Sequence, residues 1–131
     1  MIVDTDVLGD FLRGRGDAVE LVEHHRKEER AATTDINAFE LYFGAYKSGQ
    51  SDRNVAGLKG LLNRMPVLST SEDSMEVAGR MAAAQESAGE RVGVKDVLIG
   101  SIAATESEPV LTWNTDEFDR LDEVETLETG I

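Results

Sequence analysis

The chain has 131 residues, enough to bury a real core in one domain spanning 1–131 and too few for a second. Cysteine is absent and the histidines are His24 and His25, so disulfide frameworks, thiolate zinc sites and cysteine nucleophiles are excluded. Any metal is left to oxygen ligands, which suit magnesium or manganese. A formal net charge of −13 implies an acidic solvated surface and, taken alone, argues against a nucleic-acid partner.

Met1-Ile2-Val3 reads as a short first strand; it lacks the basic stretch and long apolar region of a leader. A first helix ends between Gly14 and Gly16, and a second covers 18–29, with Val19 and Val22 at helical spacing before a run of charges. Within that run, His24-His25-Arg26-Lys27 is a solvated helix face. Ala31 to Thr34 forms the second strand, and Asp35 or Asn37 can cap the helix that continues through Phe39, Leu41, Tyr42 and Phe43 and ends at Gly49. The next helix, 51–64, carries Val55, Leu58, Leu61 and Leu62 on one side and stops before Pro66. Val67-Leu68 is a third strand, and Ser71 with Asp73 opens a long alanine-rich helix to Ala88. Lys95-Asp96 starts the most apolar helix, Val97 to Thr105, whose apolar run is far shorter than a membrane span. After Pro109 come the strand Val110-Leu111-Thr112, a short helix over 116–121 and a terminal strand over 125–127. Strands alternating with helices imply an α/β fold with a parallel sheet covered on both faces. A soluble, cytoplasmic protein is expected.

Three carboxylates fall where the context predicts burial. Asp4 leaves the first strand, the place where open α/β sheets gather ligands. Glu40 lies in the apolar stretch Ala38-Phe39-Glu40-Leu41, and Asp96 opens the most apolar helix. Each has an ordinary reading as well: Asp4 and Asp96 can be helix caps, and Glu40 can face solvent at a helix edge. Together they say more, because the alternation of elements brings strand ends and helix starts to one rim. Buried carboxylates are costly unless they are paired or hold a cation.

Four segments in order carry a resemblance. They are Ile2-Val3-Asp4-Thr5-Asp6-Val7-Leu8; Ala38-Phe39-Glu40-Leu41-Tyr42-Phe43-Gly44-Ala45; Val94-Lys95-Asp96-Val97-Leu98-Ile99-Gly100-Ser101; and Leu111-Thr112-Trp113-Asn114-Thr115-Asp116-Glu117-Phe118. The chain resembles PIN-domain ribonucleases, most closely the VapC-type toxins of toxin–antitoxin pairs. The resemblance implies a three-layer α/β/α fold with a central parallel sheet of about four to five strands. It also implies that Asp4, Glu40 and Asp96 bind Mg²⁺, or Mn²⁺, and activate a water to cut RNA. An ion that neutralises developing phosphate charge and acidifies a water removes the need for a histidine base. The implied partners are RNA, a small antitoxin that blocks the acids, and a second copy in a homodimer. Asp116 is the candidate fourth catalytic acid, with Asn114 at the commoner site position. Asp6 stands where the family more often has Asn or Ser, and is read as a helix cap; the other reading is an extra acid near the metal.

The charge is compatible with an RNA substrate if the cytoplasm is salt-rich, which abundant Asp and Glu with few Lys suggest. At about 1 M salt the Debye length is about 3 Å, so distant acids hardly repel a phosphate backbone. Arg13, Arg15 and Lys95 are the basic residues nearest the acids. The rival readings are a haloacid dehalogenase-like phosphatase, with Asp4 as nucleophile and Asp6 as acid/base, and a non-catalytic interaction module on the same fold.

Overall fold

The computed structural model describes residues 1–91 and 93–131. In chain order the elements are β1 (Ile2–Val3), α1 (Thr5–Leu12), α2 (Gly16–His25), β2 (Thr33–Thr34), α3 (Asp35–Lys47), α4 (Ser51–Leu62), β3 (Val67–Leu68), α5 (Glu72–Ser87), α6 (Val94–Glu106), β4 (Val110–Leu111) and α7 (Thr115–Asp119). All strand pairing is parallel. β1 pairs with β4, β2 with β3, and a bridge between Ile2 and Ala32 joins the two pairs into the order β3-β2-β1-β4. The expected terminal strand is reduced to a bridge from Thr126 to Val110, held by Val110 N–H on the Glu125 carbonyl and Leu127 N–H on the Val110 carbonyl, each 2.9 Å.

Two-residue periodicity divides the core. Ile2 and Val110 turn to one face, with Ile99, Ile102, Phe118 and Leu121; Val3 and Leu111 turn to the other, with Val7, Leu8, Leu21 and Val22. Each fully buried side chain of this size contributes about 1.5–3 kcal/mol relative to exposure, so both helix layers are anchored on strands only two residues long. The result is the expected α/β/α layering.

Local chemistry sets several boundaries. Ser71 caps α5 through a reciprocal pair with Ser74, as the sequence suggests for Ser71. The second helix stops at His25 instead of reaching 29, because no apolar residue after Val22 returns to the buried face. Thr34, and neither Asp35 nor Asn37, caps α3: its Oγ1 accepts the Asn37 N–H at 3.1 Å. Asp96 is not a cap either, since α6 begins at Val94 and Gly93 holds the cap position. Gly100 permits the close approach of α6 to the C-terminal segment. A Cβ there would stand 2.7 Å from Leu121 Cδ1 and 3.2 Å from Val124 Cγ2.

Candidate metal centre

Asp4 joins β1 to α1. Its extended backbone makes it the N-cap of α1, and Oδ1 accepts the Thr5 N–H at 2.8 Å. The candidate ligand is therefore also the helix cap. Its other oxygen, Oδ2, accepts from Thr112 Oγ1 at 2.8 Å, which ties the end of β1 to the end of β4. Only 6% of the residue is exposed. Burial, and then the charge of Asp6, push its carboxyl up from 3.8 to about 6, against the hydrogen bonds from Thr112 and Thr5; the charge of Asp96 also raises it. A carboxylate crowded by like charge in this way is one that a cation would stabilise.

Glu40 sits one turn along α3 from the buried Asn37. The Asn37 amide donates to Asp4 Oδ1 and to Thr5 Oγ1, both at 2.9 Å, and Thr5 Oγ1 donates to Glu40 Oε1 at 2.9 Å. The other oxygen of Glu40 faces Lys95 Nζ at 3.6 Å, with both groups partly exposed. Asp96 lies in the first turn of α6 beside Lys95, and its carboxyl is raised by burial first, then by the charges of Glu117, Glu40 and Asp6. Asp4, Glu40 and Asp96 thus come to one rim at the C-terminal ends of the parallel strands, as open α/β sheets predict.

Asp6 joins them through its charge on Asp4 and Asp96, which fits the second reading of it, an extra acid near the site, rather than the cap. Asp6 does not cap α1. Oδ1 accepts the Val7 N–H at 2.6 Å and Oδ2 the Trp113 N–H at 3.2 Å, so it ties the first turn of α1 to the β4–α7 connection, and burial raises its carboxyl. Asp116 is exposed near the start of α7, whose cap position falls to Asn114 without a side-chain hydrogen bond. It is Glu117, half-buried, whose charge bears on Asp96. Asn37, Thr5, Thr112 and Glu117 are the site residues that the sequence did not single out. One signal was available: Asn37 lies three residues before Glu40, hence on the same helix face.

The donor set is all oxygen, apart from the neighbouring Lys95, and neither histidine takes part; His25 Nε2 is 2.7 Å from the Glu128 carbonyl. Among the described residues, no three acid, histidine or cysteine side chains stand close enough to enclose an ion as they are. Carboxylate oxygens are donors of the kind that hard divalent cations take. A groove of about 650 Å³ runs from Asp6 and Glu40 between α1, α3 and α4, floored by Gly9, Gly44 and Gly57 and flanked by Arg13 and Arg53. A larger recess, about 770 Å³, opens by Phe11, Val22 and Met65 and contains none of Asp4, Glu40 or Asp96, so its size does not make it the reaction site. Arg15 lies outside the groove, 4.0 Å from Asp17.

Residues 1–124 match the PIN domain family. The chain belongs to that family. The PIN domain is 32% identical over 92 residues to the tRNA(fMet)-specific endonuclease VapC of Salmonella typhimurium, covering 70% of each chain. It is 25% identical over 120 residues to Ribonuclease VapC2 of Haemophilus influenzae, covering 92% of this chain and 90% of that one. Among solved structures, the DNA-bound VapBC of Salmonella typhimurium superposes with a TM-score of 0.87 at 25% identity, over 98% of this chain and 96% of that chain. VapBC2 of Rickettsia felis, bound to a promoter DNA fragment, gives a TM-score of 0.87 at 24% identity over 96% of each chain and shares the fold. The phosphatase reading of Asp4 and Asp6 gives way to this match. Asp6 is moreover engaged by backbone N–H groups on two elements.

Proposed function

We propose that this PIN domain is a metal-dependent endoribonuclease of the VapC type, the toxin of a toxin–antitoxin pair. The observation that carries the reading is the gathering of Asp4, Glu40 and Asp96 on one rim, with Asp4 pushed up to about 6 by burial and neighbouring acids. A divalent ion, Mg²⁺ by the chemistry of its donors, would be held by Asp4 and Asp96 with Glu40 beside them. Such an ion would supply charge neutralisation for the scissile phosphate and a lowered pKa for the attacking water. The chain's own residues prepare that site. Asn37, Thr5 and Thr112 fix the carboxylate oxygens, and the strand ends keep them on a shared rim. Asp116 remains a proposed fourth acid from the family pattern; the charge relation to Asp96 supports Glu117 in that place.

The partners follow from the relatives. VapBC-5 of Mycobacterium tuberculosis belongs to the VapBC family of toxin–antitoxin systems, and the glycine-lined groove that includes Glu40 suits a docked antitoxin segment that would cover the acids. Phe39, Phe43 and Tyr46 are 60%, 57% and 65% exposed on α3, and this apolar stripe supports a homodimer. Among the described residues no helix is long and apolar enough to cross a membrane. A non-catalytic module would have little reason to keep several crowded carboxylates, which are costly without a cation.

The test is cleavage of single-stranded RNA with Mg²⁺ at low and multimolar salt by the parent, Asp4→Asn and Asp96→Asn. The proposal predicts cutting by the parent that chelator abolishes, and loss in both variants. A parent inactive at every salt concentration, or variants that cut equally well, would refute it.

A further inference from the structure

The Asn37 side chain is fully buried, and its amide donates to Asp4 and to Thr5. At the third position of a helix, a polar side chain commonly turns back to the cap residue's backbone N–H. Asn37 does not. Its Oδ1 accepts from Thr34 Oγ1 at 2.7 Å, while Thr34 Oγ1 accepts the Asn37 N–H at 3.1 Å. The orientation of the amide is fixed on the other side, because a flipped amide would set an oxygen against the Asp4 carboxylate. The NH₂ group must therefore face the acids. One bond reaches Asp4 Oδ1 directly, and the other reaches Thr5 Oγ1, whose single hydrogen is thereby committed to Glu40 Oε1.

We propose that Asn37 is a positioning residue that sets Asp4 and Glu40 relative to one another, so that carboxylates from β1 and α3 meet the divalent ion in one register. The inference rests on the metal-nuclease reading and adds a residue whose part is played entirely through the acids. Asn37 is wholly buried and donates to Asp4 from the protein interior. Outer partners that orient metal-binding groups typically change metal affinity or activity about 10–100-fold when removed.

The experiment compares the parent with Asn37→Ala, Asn37→Ser, Thr5→Val and the double variant Thr5→Val/Asn37→Ala. Mn²⁺ binding is measured by calorimetry without RNA, kcat and KM on single-stranded RNA, and melting in chelator. Asn37→Ala is expected to weaken Mn²⁺ binding and lower kcat about 10–100-fold. Its KM for RNA should stay within about threefold, since RNA binding itself is not altered. Asn37→Ser, which keeps a hydroxyl donor, recovers part of both losses. Thr5→Val cuts only the branch to Glu40 and loses less, and the double variant falls short of the product of the two single effects because they share one chain of bonds. Asn37→Ala binding Mn²⁺ and cutting like a competent parent overturns the inference and leaves the nuclease reading standing; so do losses that simply multiply. A parent that neither binds Mn²⁺ nor cuts RNA overturns both.

Discussion

Replacing Asp4 by Asn should make the metal-free protein more stable while abolishing its activity. Asp4 is 6% exposed and its carboxyl is raised from 3.8 to about 6, burial being the larger cause and Asp6 the next. A group whose pKa is raised on folding binds more protons in the native state than in the unfolded state between those values, so stability falls as pH rises through the window. A difference of roughly 2 units corresponds to about 3 kcal/mol, fully expressed above about pH 6 and absent below about pH 4. Asn removes the charge and keeps one oxygen for the Thr5 and Asn37 donors. Thr112 Oγ1 can then accept from the new amide and turn its hydrogen towards Asp6, 3.4 Å away. Allowing for imperfect replacement of these bonds, we expect a gain of about 2 kcal/mol at pH 7.5, or roughly 5–10 °C in melting temperature. The assay is denaturation of both proteins in chelator at constant salt from pH 4 to 8. The gain should shrink as pH falls towards 4, and Mg²⁺ should raise the melting point of the parent alone. An Asp4→Asn protein that melts at or below the parent at pH 7.5, or a difference that does not change with pH, would refute the argument that Asp4 is strained by burial and like charge.

Other perturbations separate site from scaffold. Glu117→Gln should lower RNA cleavage more than Asp116→Asn, because Glu117 is the acid whose charge reaches Asp96; equal effects, or the reverse order, would return the fourth position to Asp116. Gly100→Ala should destabilise by about 1–3 kcal/mol in urea titration, since the new methyl meets Leu121 at 2.7 Å and Val124 at 3.2 Å; an unchanged midpoint would show that these side chains simply swing aside. Gly44→Leu places a side chain into open space on the groove floor, so melting should hold or rise slightly while binding of a cognate antitoxin segment weakens at least tenfold. Undiminished binding would move the antitoxin elsewhere.

Much of the fold was legible because local signals and tertiary demands agree. Met1 to Val3, Pro109 before Val110 and the Ser71 cap each mark a boundary that the structure keeps, and the alternation of strands and helices leads to parallel pairing without further assumption. That Asp4, Glu40 and Asp96 gather was legible for the same reason: an acid at a strand end or in an apolar helical stretch is anomalous in one dimension. Asn37 was not, because an Asn near a helix start looks like a cap, and its partners Asp4 and Thr5 are distant in sequence. The assignment of Glu117 turned on helix phase. α7 begins at Thr115, and a step of one residue turns a side chain by about 100°, enough to send Asp116 to solvent and Glu117 towards Asp96. Apolar residues at helical spacing signal a face without naming what covers it, so the exposure of Phe39 and Phe43 was not legible; Lys95 and Lys47 lie over their rings at 5.8 and 5.2 Å, on the exposed side of α3.

The central claim is that the carboxylate rim holds a divalent cation. Anomalous diffraction from Mn²⁺-soaked crystals tests it most directly. A peak is expected between Asp4 and Asp96, within reach of Glu40 and lost in Asp4→Asn crystals. A rim without a peak at saturating Mn²⁺, or a peak that persists without the Asp4 carboxylate, would contradict it.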